Sequence, residues 1–310
     1  GVKNNTFFFA SELKAIRANP EFKPEIDRDA LASFLRFSYV PAPFSIYKGI
    51  KKLLPGHLLC LKSFVDLPES QPYWSLDKVM LNGSNSYYTG SEEEAANELE
   101  KCLKKTVKSR MVSDVPLGAF LSGGIDSSTI VAIMQSQSER PINTFTIGFH
   151  EEEFNEAVHA KKVAQHLGTN HTELYVTSQE VMDVIPKLPS MYDEPFADSS
   201  QIPTHLISAL ARQHVTVAIS GDGGDELFAG YNRYLIAEKL WKVAGRIPNA
   251  LKNRTADLVA GISPESVERF YGKIEGILPQ KMKVSLPTEK FYKLARALRA
   301  TSTPRAVYKR

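Results

Sequence analysis

The sequence predicts an α/β protein built on a parallel sheet with helices on both faces. Three observations carry that expectation. Strand-length apolar runs alternate with helix-length amphipathic runs from about residue 118 to residue 244, which is the pattern of a parallel sheet. Two of those strands lead straight into glycine-rich loops that open helices. The chain has 310 residues, 43% of them apolar, enough for about two domains with a real core.

Residues 6–10 (Thr-Phe-Phe-Phe-Ala) form a short apolar strand, and Ser11 caps a helix that stops near Asn19-Pro20. A second helix covers 28–37. Pro41 and Pro43 end it, and Pro55-Gly56 turns the chain into a strand over 58–61. This first block is too short to hold a complete core alone. Residues 65–90, rich in Pro, Ser, Asn, Gly and Tyr with little periodicity, read as a linker. Ser91 with Glu94 then makes a capping-box signature for a helix with apolar positions at Ala95, Leu99, Cys102, Leu103 and Val107.

A strand at 118–121, a helix at 127–136, a strand at 143–149 and a helix at 156–167 closed by Gly168 follow in order. The series continues with a strand at 172–176, a helix at 203–213, a strand at 215–220 and a helix at 226–244. Beyond Gly245 the helical patterns are broken at Pro248, Pro264, Pro279 and Pro287, an all-helical extension. The chain shows no internal repeat and no low-complexity tract.

Charge is neutral evidence. Thirty-eight Lys and Arg against 35 Asp and Glu leave a net +3, too little to imply a nucleic-acid or membrane partner. Cys60 and Cys102 lack any CxxC or Cys/His spacing, so neither a disulfide framework nor a zinc ribbon is expected and a reducing cytoplasm is the default. No secretory signal pattern is present at Gly1-Val2-Lys3. The charge-poor stretch 115–138 carries Asp126, paired glycines and hydroxyls, which suits a site and not a membrane span.

That site is Leu121-Ser122-Gly123-Gly124-Ile125-Asp126-Ser127-Ser128. Between a strand and a helix of a parallel sheet, such a loop faces the helix's free amides and positive end, which suits a phosphate. Gly123 and Gly124 let the backbone approach an anion, and Ser122, Ser127 and Ser128 offer hydroxyls. Asp126 is misplaced beside an anion unless a cation lies between them, so it implies Mg²⁺. No GxxxxGK[ST] pattern is present, so this is not a Walker-type γ-phosphate cradle. The plain alternative is a serine-glycine turn with Asp126 as a cap.

A second constellation follows the strand at 215–220: Ser220-Gly221-Asp222-Gly223-Gly224-Asp225-Glu226. Three acids in five positions beside three glycines favour a cation or an electrophilic substrate. Acids complementing a helix N-terminus are the plain alternative. Both loops belong to one edge of the sheet, so Asp126 and Asp225 can share one Mg²⁺. His159, His166 and His171 lack zinc spacing and read as core or surface histidines. Lys101, Lys104, Lys105, Lys108 and Arg110 read as a solvated helix face.

At these residues the chain resembles the glutamine-dependent asparagine synthetases of the ATP-pyrophosphatase (PP-loop) superfamily. SGGIDSS is similar to their pyrophosphate loop, and SGDGGDELFAGY to their second signature. Residues 112–116, Phe145-Thr146-Ile147-Gly148-Phe149 and Asp193-Glu194-Pro195-Phe196-Ala197-Asp198 look like the synthetase half; residues 9–15 and 49–57 look like the end of the glutaminase half. The resemblance implies an adenine nucleotide alpha hydrolase-like fold over 91–310, C-terminally truncated. Ahead of the 65–90 linker it implies a remnant of an N-terminal-nucleophile glutaminase domain over 1–64.

Residue by residue, the resemblance implies that Ser122, Gly123, Gly124, Asp126 and Ser127 hold the pyrophosphate and its Mg²⁺. Leu121 and Ile147 would flank ATP, with Ser220 and Gly221 on its other side. Asp225 would be the second metal ligand. Asp222 would be the acid that assists adenylate formation and ammonia attack, where many members have Glu.

The implied partners are ATP, aspartate and glutamine-derived ammonia, with no nucleic acid and no membrane; a homodimer stays open. The implied product is asparagine, with AMP and pyrophosphate released. Neither Cys60 nor Cys102 matches the glutaminase nucleophile, so that activity is expected to be missing. The family's later Arg- and Pro-containing motif is not found before Arg310. Alternatives are another carboxylate acceptor such as a sugar acid in polysaccharide assembly, a tRNA base, or a non-catalytic nucleotide-binding relative.

Overall fold

The computed structural model describes residues 1–3, 6–61, 69–150, 155–244, 248–274, 288 and 292. It forms two compact units, Gly1–Gly221 and Asp222–Arg310. In the first, strands β1 (Val2–Lys3) and β2 (Thr6–Phe7) pair antiparallel and precede helices α1 (Leu13–Arg17) and α2 (Arg28–Phe37). A ribbon of β3 (His57–Leu58) and β4 (Gln71–Pro72) leads to helices α3 (Leu76–Asn85) and α4 (Glu92–Arg110). The α/β series then runs β5 (Leu117–Phe120), α5 (Ile125–Ser136), β6 (Asn143–Phe149), α6 (Ala157–Leu167) and β7 (Asn170–Val176). Helices α7 (Ser178–Val184), α8 (Leu188–Met191) and α9 (Gln201–Ala211) and strand β8 (Val217–Ile219) complete the unit.

The expected sheet is present. Its four strands are all parallel in the order β7-β6-β5-β8, with β5 hydrogen-bonded on both edges. Alternation along β5 explains the layers. Ala119 and Leu121, one residue past the strand, join Val107 of α4, Val131 and Met134 of α5 and Ala160 and Ala164 of α6 in one buried cluster, against which Leu117 packs. Phe120 faces the other way, against Phe145, Val215 and Leu210 and Ala211 of α9. Helices therefore cover both faces. Each of the large side chains so buried, Phe145 and Met134 among them, contributes about 1.5–3 kcal/mol.

Local chemistry sets the element ends. Ser91 Oγ accepts from the Glu94 amide at 3.2 Å while Glu94 accepts from the Ser91 amide at 2.8 Å, so the expected capping box starts α4. Asp27 caps α2 by accepting from the amides of Asp29 and Ala30. Gly168, at φ 70°, closes α6.

Ahead of the sheet, Phe8, Ile16, Phe22, Val40, Ile46, Tyr47 and Ile50 make a smaller cluster of their own. Edge-to-face contacts of Phe22 with Phe8 (5.4 Å) and Tyr47 (5.8 Å) sit at its centre.

Several expectations are corrected. The N-cap of α1 is Glu12, not Ser11, and it makes no side-chain cap bond. The strand expected at 6–10 is Thr6–Phe7, with Phe8 still exchanging backbone bonds with Gly1, and the one expected at 58–61 is His57–Leu58. The 65–90 stretch contains α3, a ten-residue helix. The chain between 176 and 203 holds α7 and α8, which the pattern did not suggest.

In the second unit the expected continuous helix at 226–244 is two: α10 (Gly224–Phe228) and α11 (Asn232–Ala244), separated by Ala229 in the left-handed region at φ 56°. Helices α12 (Asn249–Ala260) and α13 (Pro264–Ile274) follow, started at Pro248 and Pro264 as expected. Pro279 and Pro287 lie outside the described residues. Cys60 and Cys102 are free. Among the described residues no helix is long and apolar enough to cross a membrane.

His171, the second residue of β7, is half-buried. Its Nδ1 lies 2.9 Å from Thr144 Oγ1, which also meets Thr169 Oγ1 at 2.9 Å, while its Nε2 is buried with no hydrogen-bond partner. An imidazolium there would leave one buried N–H unsatisfied, and burial holds the pKa below the ordinary 6.5.

The unfolded chain therefore binds this proton more readily than the fold. The stabilising effect of a neutral His171 is complete above pH 6.5 and declines as pH falls below it. His171→Gln is expected to flatten this loss, seen as a smaller drop in urea midpoint on going from neutral to mildly acidic buffer.

Candidate active site

The carboxyl ends of β5 and β8 lie side by side in the parallel sheet, the edge at which such sheets bind ligands. Leu121 continues β5 by donating its amide to Phe145 O at 2.9 Å. Its side chain is fully buried in the core, so what it presents to the loop is backbone. Ile147 of β6 is likewise buried, in register with Leu174 of β7.

The loop between β5 and α5 is internally braced. Ser127 Oγ accepts from the Ser122 amide at 3.2 Å and lies 2.9 Å from Ser122 Oγ, which accepts from the Gly124 amide at 3.2 Å. These bonds hold the loop around the first turn of α5, whose early amides have no intrahelical partner. The Ser122 and Ser127 hydroxyls, expected to face a ligand, bond to each other across the loop. Ser128 Oγ, one residue on, is buried with no hydrogen-bond partner. With the Ser122 and Gly124 amides used inside the loop, the early amides of α5 and the buried Ser128 hydroxyl are the groups that suit an anion.

Gly123 and Gly221 are required by space. Gly123 has φ 81°, and a Cβ there would lie 2.6 Å from the Ala160 amide nitrogen of α6. A Cβ on Gly221 would lie 2.7 Å from the Ser127 nitrogen and 2.9 Å from the Asp126 carbonyl carbon. The segment leaving β8 thus presses its backbone onto the first turn of α5, so Gly221 and Asp126-Ser127 are brought together. The close fit of Gly123 to α6 was not foreseen; the glycine itself was its only trace in the sequence.

Asp126 sits half-buried in the first turn of α5. Asp222 and Asp225 belong to the second unit. There Gly223 takes φ 92° ahead of α10, Asp225 O accepts from the Gly230 amide at 3.1 Å, and Glu226 accepts from Tyr231 OH at 2.7 Å. Among the described residues no group of three or more His, Cys, Asp and Glu could hold a metal ion. Mg²⁺ needs only one or two carboxylates when substrate phosphates and water fill its shell, so a donor set of carboxylates plus phosphate fits that ion.

A strand–glycine loop–helix at the carboxyl edge of a parallel sheet, with the Gly221 backbone leaving β8 pressed against it, makes this an α/β domain of the kind whose loops suit anions. A family model described as asparagine synthase matches residues 98–309, and one described as a glutamine amidotransferase domain matches residues 1–74. Asparagine synthetase (glutamine-hydrolyzing) 1 of Bacillus subtilis is 34% identical over 264 residues, covering 85% of this chain and 40% of that protein. A Methanocaldococcus jannaschii relative is 37% identical over 243 residues, 74% of this chain and 44% of its own length.

The chain belongs to the asparagine synthase family. It spans less than half the length of these curated relatives. Among solved structures, an NMN synthetase from Francisella tularensis is 16% identical, with 46% of this chain and 59% of that chain covered at a TM-score of 0.32.

The Gly221 contact is with backbone, which cannot swing aside. Gly221→Ala is expected to cost about 1–3 kcal/mol. Gly83→Ala, in α3 with nothing within 4 Å of the new methyl, is expected to stabilise by about 0.5–1 kcal/mol. Thermal unfolding of both variants checks the contrast.

Proposed function

We propose that the chain carries the synthetase chemistry of an ATP-dependent, glutamine-using asparagine synthetase. The aspartate side-chain carboxylate attacks the α-phosphorus of ATP, giving an aspartyl-adenylate and pyrophosphate. Ammonia derived from glutamine then displaces AMP to give asparagine. The observation that carries this reading is the backbone of Gly221 closed onto Asp126 and Ser127, which unites the two loops that resemble the family's signatures.

The residues divide the work by chemistry. Attack on the α-phosphorus concentrates negative charge on the departing pyrophosphate, and amides fixed in advance around it stabilise that charge. The Gly123 amide and the amides in the first turn of α5 fill this role, held in place by the Ser122–Ser127 brace. Leu121 and Ile147 line the nucleotide on one side, through backbone in the case of Leu121, and Ser220 and Gly221 on the other. Asp126 and Asp225 are the carboxylates for Mg²⁺, which when bound neutralises phosphate charge in the transition state. Asp222 is the acid nearest in role to the acceptor, assisting adenylate formation and the ammonia attack.

No covalent enzyme intermediate is required, because the adenylate itself activates the carboxylate. The small net charge of +3 favours small-molecule substrates over nucleic acid. A cytoplasmic setting agrees with free thiols at Cys60 and Cys102.

The test is pyrophosphate release by the full-length protein with ATP, Mg²⁺, ammonia and a series of carboxylic acids. Release with aspartate is expected; release only with another acid would replace aspartate as the acceptor. Asp126→Asn is expected to lower the rate by about a hundredfold or more, and an unchanged rate would remove Asp126 from the metal site.

A further inference from the structure

The segment between α8 and α9, Tyr192–Ser200, is tied to the residues matched by the amidotransferase-domain model rather than to the sheet it serves. Ala197 donates its amide to Ser38 O at 2.8 Å. Lys14 Nζ donates to Met191 O at 3.0 Å and pairs with Asp193 at 3.5 Å as well as with Glu12 at 3.1 Å. Glu194 is held most fully. One carboxylate oxygen pairs with Lys52 and the other accepts from the Ile46 amide at 3.2 Å. Lys52 Nζ also donates to Val40 O at 2.6 Å.

Glu194 is no loose surface acid. Its side chain is only 17% exposed; the Ile46 amide binds it and the Val40 carbonyl anchors its partner Lys52, and both residues are members of the small buried cluster around Phe22 and Tyr47. A charge this desolvated is tolerable only because both oxygens are engaged, and removing one partner leaves an uncompensated carboxylate. Five of these bonds, from Ala197 to Ser38, Lys14 to Met191 and Asp193, and Glu194 to Lys52 and Ile46, join residues 14–52 to residues 191–197. They cross from the part matched by one family model to the part matched by the other. The gripped segment runs directly into α9, whose Leu210 and Ala211 pack on Phe145 of the sheet.

We propose that Glu194, gripped by Lys52 and the Ile46 amide, is a positioning residue that fixes the amidotransferase-related block against the sheet domain so that ammonia released on one side is captured on the other. Asp193 and Lys14 form the weaker second half of this clamp. The inference rests on the function proposed above. Synthetase chemistry with free ammonia does not need the clamp; nitrogen transfer from glutamine does.

The experiment compares product formation by the full-length protein with glutamine and with ammonium chloride as nitrogen source. Lys52→Met is expected to lower the glutamine-supported rate by about tenfold or more while the ammonia-supported rate stays within about twofold. Lys52→Glu is expected to behave likewise, and the reversed pair Lys52→Glu with Glu194→Lys to recover most of the glutamine-supported rate. Rates that fall together, a glutamine-supported rate that does not fall, or a reversed pair that recovers nothing would each overturn the clamp.

If the unaltered protein forms product with neither nitrogen source, the proposed function has failed and the clamp is judged by hydrogen exchange. Faster exchange of the Ile46 amide in Lys52→Met then supports it, and unchanged exchange overturns it.

Discussion

Everything at the carboxyl edge of the sheet depends on one steric constraint: backbone must meet backbone with no side chain between. The segment leaving β8 lies against the first turn of α5 at Gly221, and the loop leaving β5 lies against α6 at Gly123. Each contact is shorter than a Cβ permits. Because β5 is one of the two central strands, paired on both edges, these two contacts hang the loop from the interior of the sheet. The loop is then stiffened from inside by two serines. Rigid amides near a developing charge are worth more than mobile ones, since they need not reorganise when the charge appears.

The parts of the fold that follow from local rules were legible in the sequence. Strand-and-helix alternation from β5 to β8 could be read because each element has its own hydrophobic period, and the glycines mark the ends. Ser91 and Glu94 announced α4 because a capping box involves neighbours only. The same locality explains the failures. Helix α3 was hidden by a composition rich in Ser, Asn and Gly, and even contains Gly83. The break between α10 and α11 was hidden because Ala229, not a glycine, takes the left-handed conformation. Its one trace is Gly230, where a side chain would collide with the Asp225 carboxylate.

The candidate site was legible for a different reason. Its loop residues are contiguous, so Ser122, Gly123, Gly124, Asp126 and Ser127 arrive together, and the strand before them fixes which edge of the sheet they occupy. What contiguity could not tell is how each hydroxyl is used. Ser122, Ser127 and Ser128 all offer hydroxyls; in the fold Ser122 and Ser127 bond across the loop and take up the Gly124 and Ser122 amides, while Ser128 Oγ stays buried without a partner. A sequence names the donors available, and only packing decides which remain open.

Glu194 shows the limit of that legibility most clearly. Its neighbours in sequence, Asp193, Pro195 and Phe196, suggest an acidic loop facing solvent, and no periodicity links it to Lys52 or Ile46, more than 140 positions away. The pairing exists because two separate hydrophobic clusters, one around Phe22 and one around Phe145, each set the course of the chain near it. Where those courses meet, a carboxylate is drawn out of water and both its oxygens find partners. A charge in that setting adds little net stability over a well-packed apolar contact, but it tolerates only one register. Orientation, more than stability, is therefore what the Glu194 contact gives the fold.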